Sequence, residues 1–323
     1  MTSDPDMARR IPGSGGDEPG VIVSITPQLA GWDRSGLRVV RIAPGGRHDI
    51  SIEGAECAVL PLAGSCQVET AGRSFRLSGR NSVFTHVTDW AYVGRDHDGC
   101  ITSEHGGEFA VLSARCEHHI DPYRIDARMV PVEVRGAGHA TRQLNNFLAP
   151  EIAEADRLVA VEVLTPRGNW SSWPSHKHDN EQRHPDGSII EADLEEIYYY
   201  RIAAADGIAT DTGSAFGMHR TYDLAADWDM STMVRSNDVV LVPRGYHGPC
   251  IAAPEYDMYY LNVLAGDQPE RTLAFADDPA LAWIRTSWQS QETDPRVPWT
   301  SADGPVGPGP HSAHRSPMST GSR

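Results

Sequence analysis

The chain has 323 residues, of which 40% are hydrophobic and 22% charged, and a formal net charge of −16. That length exceeds what a single core commonly fills, so two domains are expected, and the composition is that of an ordinary globular protein. The negative surface repels phosphates and anionic headgroups, which argues against nucleic acid and membrane as partners and leaves any anionic ligand to be held by local arginines.

Residues 1–20 carry Gly, Pro and Asp but no apolar stretch of signal-peptide or membrane-span length, and are expected as a disordered tail. From residue 21 to 116, short apolar runs such as residues 37–42 and 57–62 are punctuated by Gly, Asp and Asn, the texture of antiparallel strands. Residues 135–155, with Gly136, Gly138 and Pro150, read as a connection holding one short helix over 141–148. Strand texture returns from 158 to 264, clearest at 197–202, 239–242 and 258–263, and short helices near 278–288 are expected to close the second unit. Residues 294–323, rich in Pro, Gly and Ser, are expected as a second tail. The fold class is therefore all-β, with one barrel or sandwich plus connector over 21–150 and another over 151–293. Cys57, Cys66, Cys100, Cys116 and Cys250 are odd in number and include no Cys-x-x-Cys pair, which fits the reducing cytoplasm.

The chemistry-bearing residues lie in the second unit. On a strand, His176 and His178 point to one face, so their imidazoles can converge on one ion. In the next strand Glu196 shares a face with Tyr198 and Tyr200 if it is the inward residue of the Glu195-Glu196 pair. The run 238–247 then supplies a strand, a Pro243-Arg244-Gly245 turn and a third histidine, His247. Three neutral imidazoles and a carboxylate suit a first-row divalent metal. Each alone is an ordinary surface or turn residue, and only their joint order carries weight. Cys116-Glu117-His118-His119 lacks a second ligand cluster and reads as a solvated turn. His184, between His178 and Glu196, reads as part of a polar lid.

The strings Gly168-Asn169-Trp170-Ser171-Ser172, His176-Lys177-His178-Asp179, Leu194-Glu195-Glu196, Pro243-Arg244-Gly245-Tyr246-His247 and Tyr259-Tyr260-Leu261-Asn262-Val263 resemble the 5-deoxy-glucuronate isomerase family of bacterial inositol catabolism, within the cupin superfamily. The resemblance implies two cupin barrels of the double-stranded β-helix, or jelly-roll, type. It puts one divalent ion, Zn or Mn ahead of Fe or Ni, on His176, His178, Glu196 and His247. The first barrel has no His-x-His, in keeping with a metal-free partner. Trp173, Ser175 and His219 depart from the family's commoner Tyr, Pro and Gln without removing a ligand.

The implied reaction interconverts 5-deoxy-D-glucuronate and 5-dehydro-2-deoxy-D-gluconate, so the partner is a small anionic sugar acid. A homo-oligomer stays open. Candidate proton carriers are Lys177, the only lysine in the chain, His184, Tyr198 and a metal-bound hydroxide. Arg220 and Arg244 are candidates for the substrate carboxylate, and Tyr200 and Tyr260 for its hydroxyls. The alternatives are the sister ketol-isomerase acting on 4-deoxy-5-hexosulose uronate, a cupin dioxygenase and a non-catalytic sugar-binding bicupin.

Overall fold

The computed structural model describes residues 8–13, 18–204 and 214–306. Strands dominate, and the apolar residues explain their arrangement. In Glu195–Ala204, Ile197 and Tyr199 face one way and Tyr198 and Tyr200 the other, and all four are buried. A strand buried on both sides must sit between two layers, and it does.

Its seven-stranded sheet runs Arg9–Ile11, Val239–Val242, Glu195–Ala204, Tyr256–Ala265, Val159–Thr165, Arg142–Leu148 and Val132–Arg135, all antiparallel. A six-stranded sheet built around Gly217–Asp223 and Tyr246–Ala252 lies over one face. Between the two sheets, Val161, Val163, Tyr198, Tyr200, Val240 and Tyr260 form a barrel core. The opposite face, with Ile197, Tyr199, Leu241 and Leu261, packs on Leu37, Leu60, Ala110 and Leu112 of a nine-stranded sheet made by residues 21–125. That sheet curls around its own core of Val40, Val59, Val68, Leu77 and Phe109.

The curl of the first sheet depends on Ala55–Thr70. Its first half pairs with Trp90–Val93, its second with Gly99–Ser103, and the register slips around Gly64. Gly64 has φ +89°, and a Cβ there would sit 2.6 Å from the carbonyl oxygen of Gly106, so the corner takes glycine.

Three expectations need correction. Residues 141–148 are not helical: Arg142–Leu148 is a strand of the seven-stranded sheet. Its polar residues gave a helix-like pattern, yet they are buried and satisfied by distant partners: Gln143 donates to Thr300, and Asn145 to Glu162 at 3.0 Å. The expected connector therefore pairs within the second sheet. At the N-terminus, Arg9–Ile11 is no tail but adds a strand to Val239–Val242, and Arg10 bonds Asp238 at 2.8 Å. Toward the other end, residues 294–306 fold back between the sheets, with Trp299 buried in their shared core. The short helix Trp283–Ser287 lies where short helices were expected. Residues 1–7, 14–17 and 307–323 of the two expected tails lie outside the described residues. Among the described residues no helix is long and apolar enough to cross a membrane.

Candidate metal centre

His176–Lys177 pairs with Tyr246–Ala252 so that His176 stands opposite His247. In the facing sheet Glu196 is inward and buried, as alternation with Tyr198 requires. Glu195 turns outward and accepts from the backbone N–H groups of Asp33, Arg34 and Ser35, where the chain enters the strand Ser35–Ile42 of the first sheet. The donor atoms of His178, Glu196 and His247 lie within 4.8 Å of one another. His176 is outside that tightest group, though its ring centroid is 4.6 Å from that of His247 and it lines the same cavity.

The hydrogen bonds of the histidines fix their roles. Each Nδ1 meets a backbone carbonyl: His176 that of Pro174 at 3.2 Å, His178 that of Leu194 at 3.0 Å, and His247 that of Gly245 at 3.2 Å. The Nδ1–H donates in each ring, which turns Nε2 toward the cup. Glu196 Oε1 accepts from Asn262 Nδ2 at 2.6 Å, so Oε2 faces His178 Nε2 at 2.9 Å and His247 Nε2 at 3.1 Å. The last approach is misaligned for a hydrogen bond, and His247 Nε2 is a buried polar atom without a partner. A buried nitrogen lone pair facing another ligand oxygen is what a divalent cation satisfies, and the N and O donor set suits a first-row ion.

Charges in the cup are strongly coupled. Burial opposes the charged form of His178, yet the Glu196 carboxylate outweighs it and raises its pKa above the ordinary imidazole value. Burial would raise Glu196, but His247 and His178 hold it well below the usual carboxylate range. A metal must therefore displace a proton from His178, and a raised pKa means that this proton is held at a higher pH than usual. Metal affinity is expected to fall as pH drops, from above the ordinary imidazole pKa, by roughly tenfold per pH unit for one proton. Chelator competition across a pH series measures this, and an affinity flat through the imidazole range would refute it.

The other candidates separate clearly. Tyr198 and Tyr260 line a cavity of 140 Å³ beside the cup, their hydroxyls 3.2 and 3.1 Å from Ser172 Oγ. Ser172 comes this close because Gly248 carries no side chain; a Cβ there would meet the Ser172 carbonyl oxygen at 1.8 Å. Tyr200 does not reach the cavity: its hydroxyl is 2.6 Å from His219 Nδ1 in the core. Burial pushes His219 down to about 3, and its Nε2 is 2.7 Å from Thr221 Oγ1, so it is a neutral packing residue.

Lys177 points away from the cup, as alternation with His176 and His178 demands. Its Nζ bonds Asp179 and Glu191, and Asp179 accepts from Gly245 N–H at 2.7 Å. The lysine thus braces the His-x-His strand against the turn leading to His247. Burial opposes its charge, but Asp179 and Glu191 raise its pKa, so it is no base. His184 is exposed in the hairpin of Asp179–Arg183 and Ile189–Asp193. Arg220 faces outward, paired with Asp229 at 2.6 and 3.0 Å and stacked on Tyr222. Arg244 is exposed, its nearest carboxylate, Asp223, 3.9 Å away. Neither arginine reaches the cavity; Arg135, Arg142 and Arg285 do. Asn262 had a signal in its alternation with Tyr260, whereas Arg142 had none, because its segment read as a helix.

Over residues 11–284 the sequence matches the KduI/IolB family. The chain belongs to that family. Among its members, the 5-deoxy-glucuronate isomerase of Geobacillus kaustophilus HTA426 is 36% identical over 279 residues, covering 86% of this chain and 95% of that protein. The 5-deoxy-glucuronate isomerase of Bacillus subtilis strain 168 is 33% identical over 250 residues, covering 77% and 86%. The crystal structure of an IolB-like protein from Salmonella typhimurium LT2 has a TM-score of 0.75 at 32% identity, covering 85% of this chain and 98% of that one. Bacillus subtilis oxalate decarboxylase, at 12% identity and TM-score 0.56, shares the two-cupin fold over 83% of this chain and 78% of its own. The span matched by the KduI/IolB family holds all four candidate ligands and every cavity-lining residue except Arg285; residues 294–306 lie beyond it.

Proposed function

We infer that this KduI/IolB family protein interconverts 5-deoxy-D-glucuronate and 5-dehydro-2-deoxy-D-gluconate, an aldose to ketose isomerisation in inositol catabolism. The observation that carries the reading is a buried His and Glu cup opening on a cavity that also holds arginine and two tyrosine hydroxyls. The reaction moves one proton from carbon 2 to carbon 1 and a second from the carbon 2 hydroxyl to the carbon 1 oxygen, and needs no external oxidant or reductant. A divalent ion on His176, His178, Glu196 and His247 would supply Lewis-acid stabilisation of the charge developing on the substrate oxygens. Zn or Mn is our assignment, with Fe or Ni as alternatives, since N and O donors accept all four.

The chain's own residues do the rest. Asn262 orients Glu196, and the three backbone carbonyls orient the imidazoles. Burial and Glu196 raise Tyr198 well above the ordinary phenol value, so its Oη keeps its proton at neutral pH and donates to a substrate oxygen. Of the three side chains weighed as proton carriers, Tyr198 alone faces the cavity, and it acts there as a hydrogen-bond donor and not as the base for the carbon 2 proton. Tyr260, also pushed up by burial, offers a second donor, and Leu273 and Phe275 shield the site from water. The reading places the enzyme in the cytoplasm, where its five unpaired cysteines stay reduced.

The test is to incubate protein of measured metal content with 5-deoxy-glucuronate and, separately, with 4-deoxy-5-hexosulose uronate, following ketose formation and proton exchange by NMR. Faster turnover of the first is expected. No turnover of it, or preference for the second, would overturn the assignment, and oxygen consumption would point to a different enzyme class.

A further inference from the structure

Among the described residues two arginines are buried, Arg80 and Arg142, each 4% exposed. They are provided for very differently. Arg80 pairs with Glu162 and also donates to the carbonyls of Pro61 and His86, each at 3.0 Å. Arg142 donates from Nη1 to the Ala140 carbonyl at 3.0 Å and makes no ion pair among the described residues. A guanidinium has five N–H donors, and a buried cation without a counter-charge is strongly unfavourable.

The surroundings of Arg142 sharpen the contrast. Three arginines line the substrate cavity. Arg135 is neutralised by Glu133 at 2.7 and 2.9 Å, and Arg285 by Asp277 at 2.5 and 2.7 Å. Arg142 alone of the three is left with its charge unmatched. Its guanidinium carbon lies 5.5 Å from the centre of the Trp288 ring, which limits how the fork can turn. Burial, with repulsion from Arg135 and Arg285, lowers its pKa to about 10, which still leaves it charged at neutral pH. The cavity therefore has the metal cup among its walls and, elsewhere on them, one unmatched fork-shaped cation.

We propose that Arg142 binds the carboxylate of the substrate and makes the site selective for uronic acids over neutral sugars. The carboxylate supplies the missing counter-ion, and the fork accepts it through two parallel N–H to O bonds. This rests on the isomerase reading for the identity of the acid, but the anion requirement follows from the unpaired guanidinium itself.

The experiment uses the metal-loaded full chain and the variants Arg142→Gln and Arg142→Lys, with metal content and thermal midpoint recorded for each. KM and kcat are measured for 5-deoxy-glucuronate and for the neutral 5-deoxy-glucose. In Arg142→Gln, KM for the acid is expected to rise roughly 10- to 150-fold, while KM for the neutral sugar changes less than about twofold. Arg142→Lys keeps the charge without the fork, and should show the same selective loss at smaller size; it carries the test if the glutamine variant does not fold. Equal losses for both sugars, or none, would overturn the proposal. Calorimetric titration with D-glucuronate and D-glucose separates the two readings. Parent protein that binds the acid through Arg142 but does not isomerise 5-deoxy-glucuronate refutes the proposed reaction alone. Isomerisation unchanged in Arg142→Gln refutes the carboxylate site alone.

Discussion

Replacing His247 by alanine is expected to abolish stoichiometric metal binding and to lower turnover by at least about a thousandfold, with the barrel still folded. Outer partners that only orient a ligand cost roughly 10- to 100-fold when removed, and a ligand itself must cost more. His247 is completely buried, its Nε2 has no hydrogen-bond partner, and Nδ1 is already engaged by the Gly245 carbonyl. The barrel core of Val161, Tyr198, Val240 and Tyr260 keeps all its side chains and loses only the edge contact of His247 with Tyr198, so circular dichroism should match the parent. Asn262→Ala, which frees Glu196 Oε1 without removing a ligand, should fall in the smaller range. Full metal occupancy in folded His247→Ala protein would refute the ligand assignment.

Trp299→Ala is expected to destabilise the protein by about 3–5 kcal/mol, a cost typical of emptying a large aromatic site. Trp299 is 1% exposed, stacks on Phe84 at 6.2 Å and donates its indole N–H to the Phe84 carbonyl at 3.2 Å. Phe84 lies in the turn between Arg73–Arg80 and Trp90–Val93 of the first sheet and meets Tyr259 of the second edge-on. Beside it, Gln143 Oε1 accepts from the backbone N–H groups of Trp299 and Thr300 at 2.9 and 3.1 Å. Disturbing this segment opens a cavity and also weakens the satisfaction of a buried amide. The midpoint of denaturant unfolding reads the effect, with metal occupancy held constant. A loss below about 1 kcal/mol would mean that the segment covers the core without supporting it.

The sequence by itself determined which way the functional side chains face. His176 and His178 share a face, Tyr198 and Glu196 share another, and Lys177 and Glu195 point away, because strand alternation is a property of the backbone that neighbouring residues already fix. Arg220, a carboxylate candidate by sequence, proves outward only once the burial of its neighbours His219 and Thr221 is known. The tertiary structure decided what alternation cannot reach. Whether Arg142 lies on a helix or a strand depended on Val132–Arg135 and Val159–Thr165 pairing on either side of it. Whether residues 294–306 were tail or core depended on Trp299 meeting Phe84, 215 residues earlier. Turn geometry sent Arg244 into solvent, and the curl of the second barrel brought Arg142, Arg135 and Arg285 to its cavity in its place. Facing is set within a few residues of chain; enclosure is set by pairing and curvature across hundreds, and the charge that recognises the substrate belongs to enclosure.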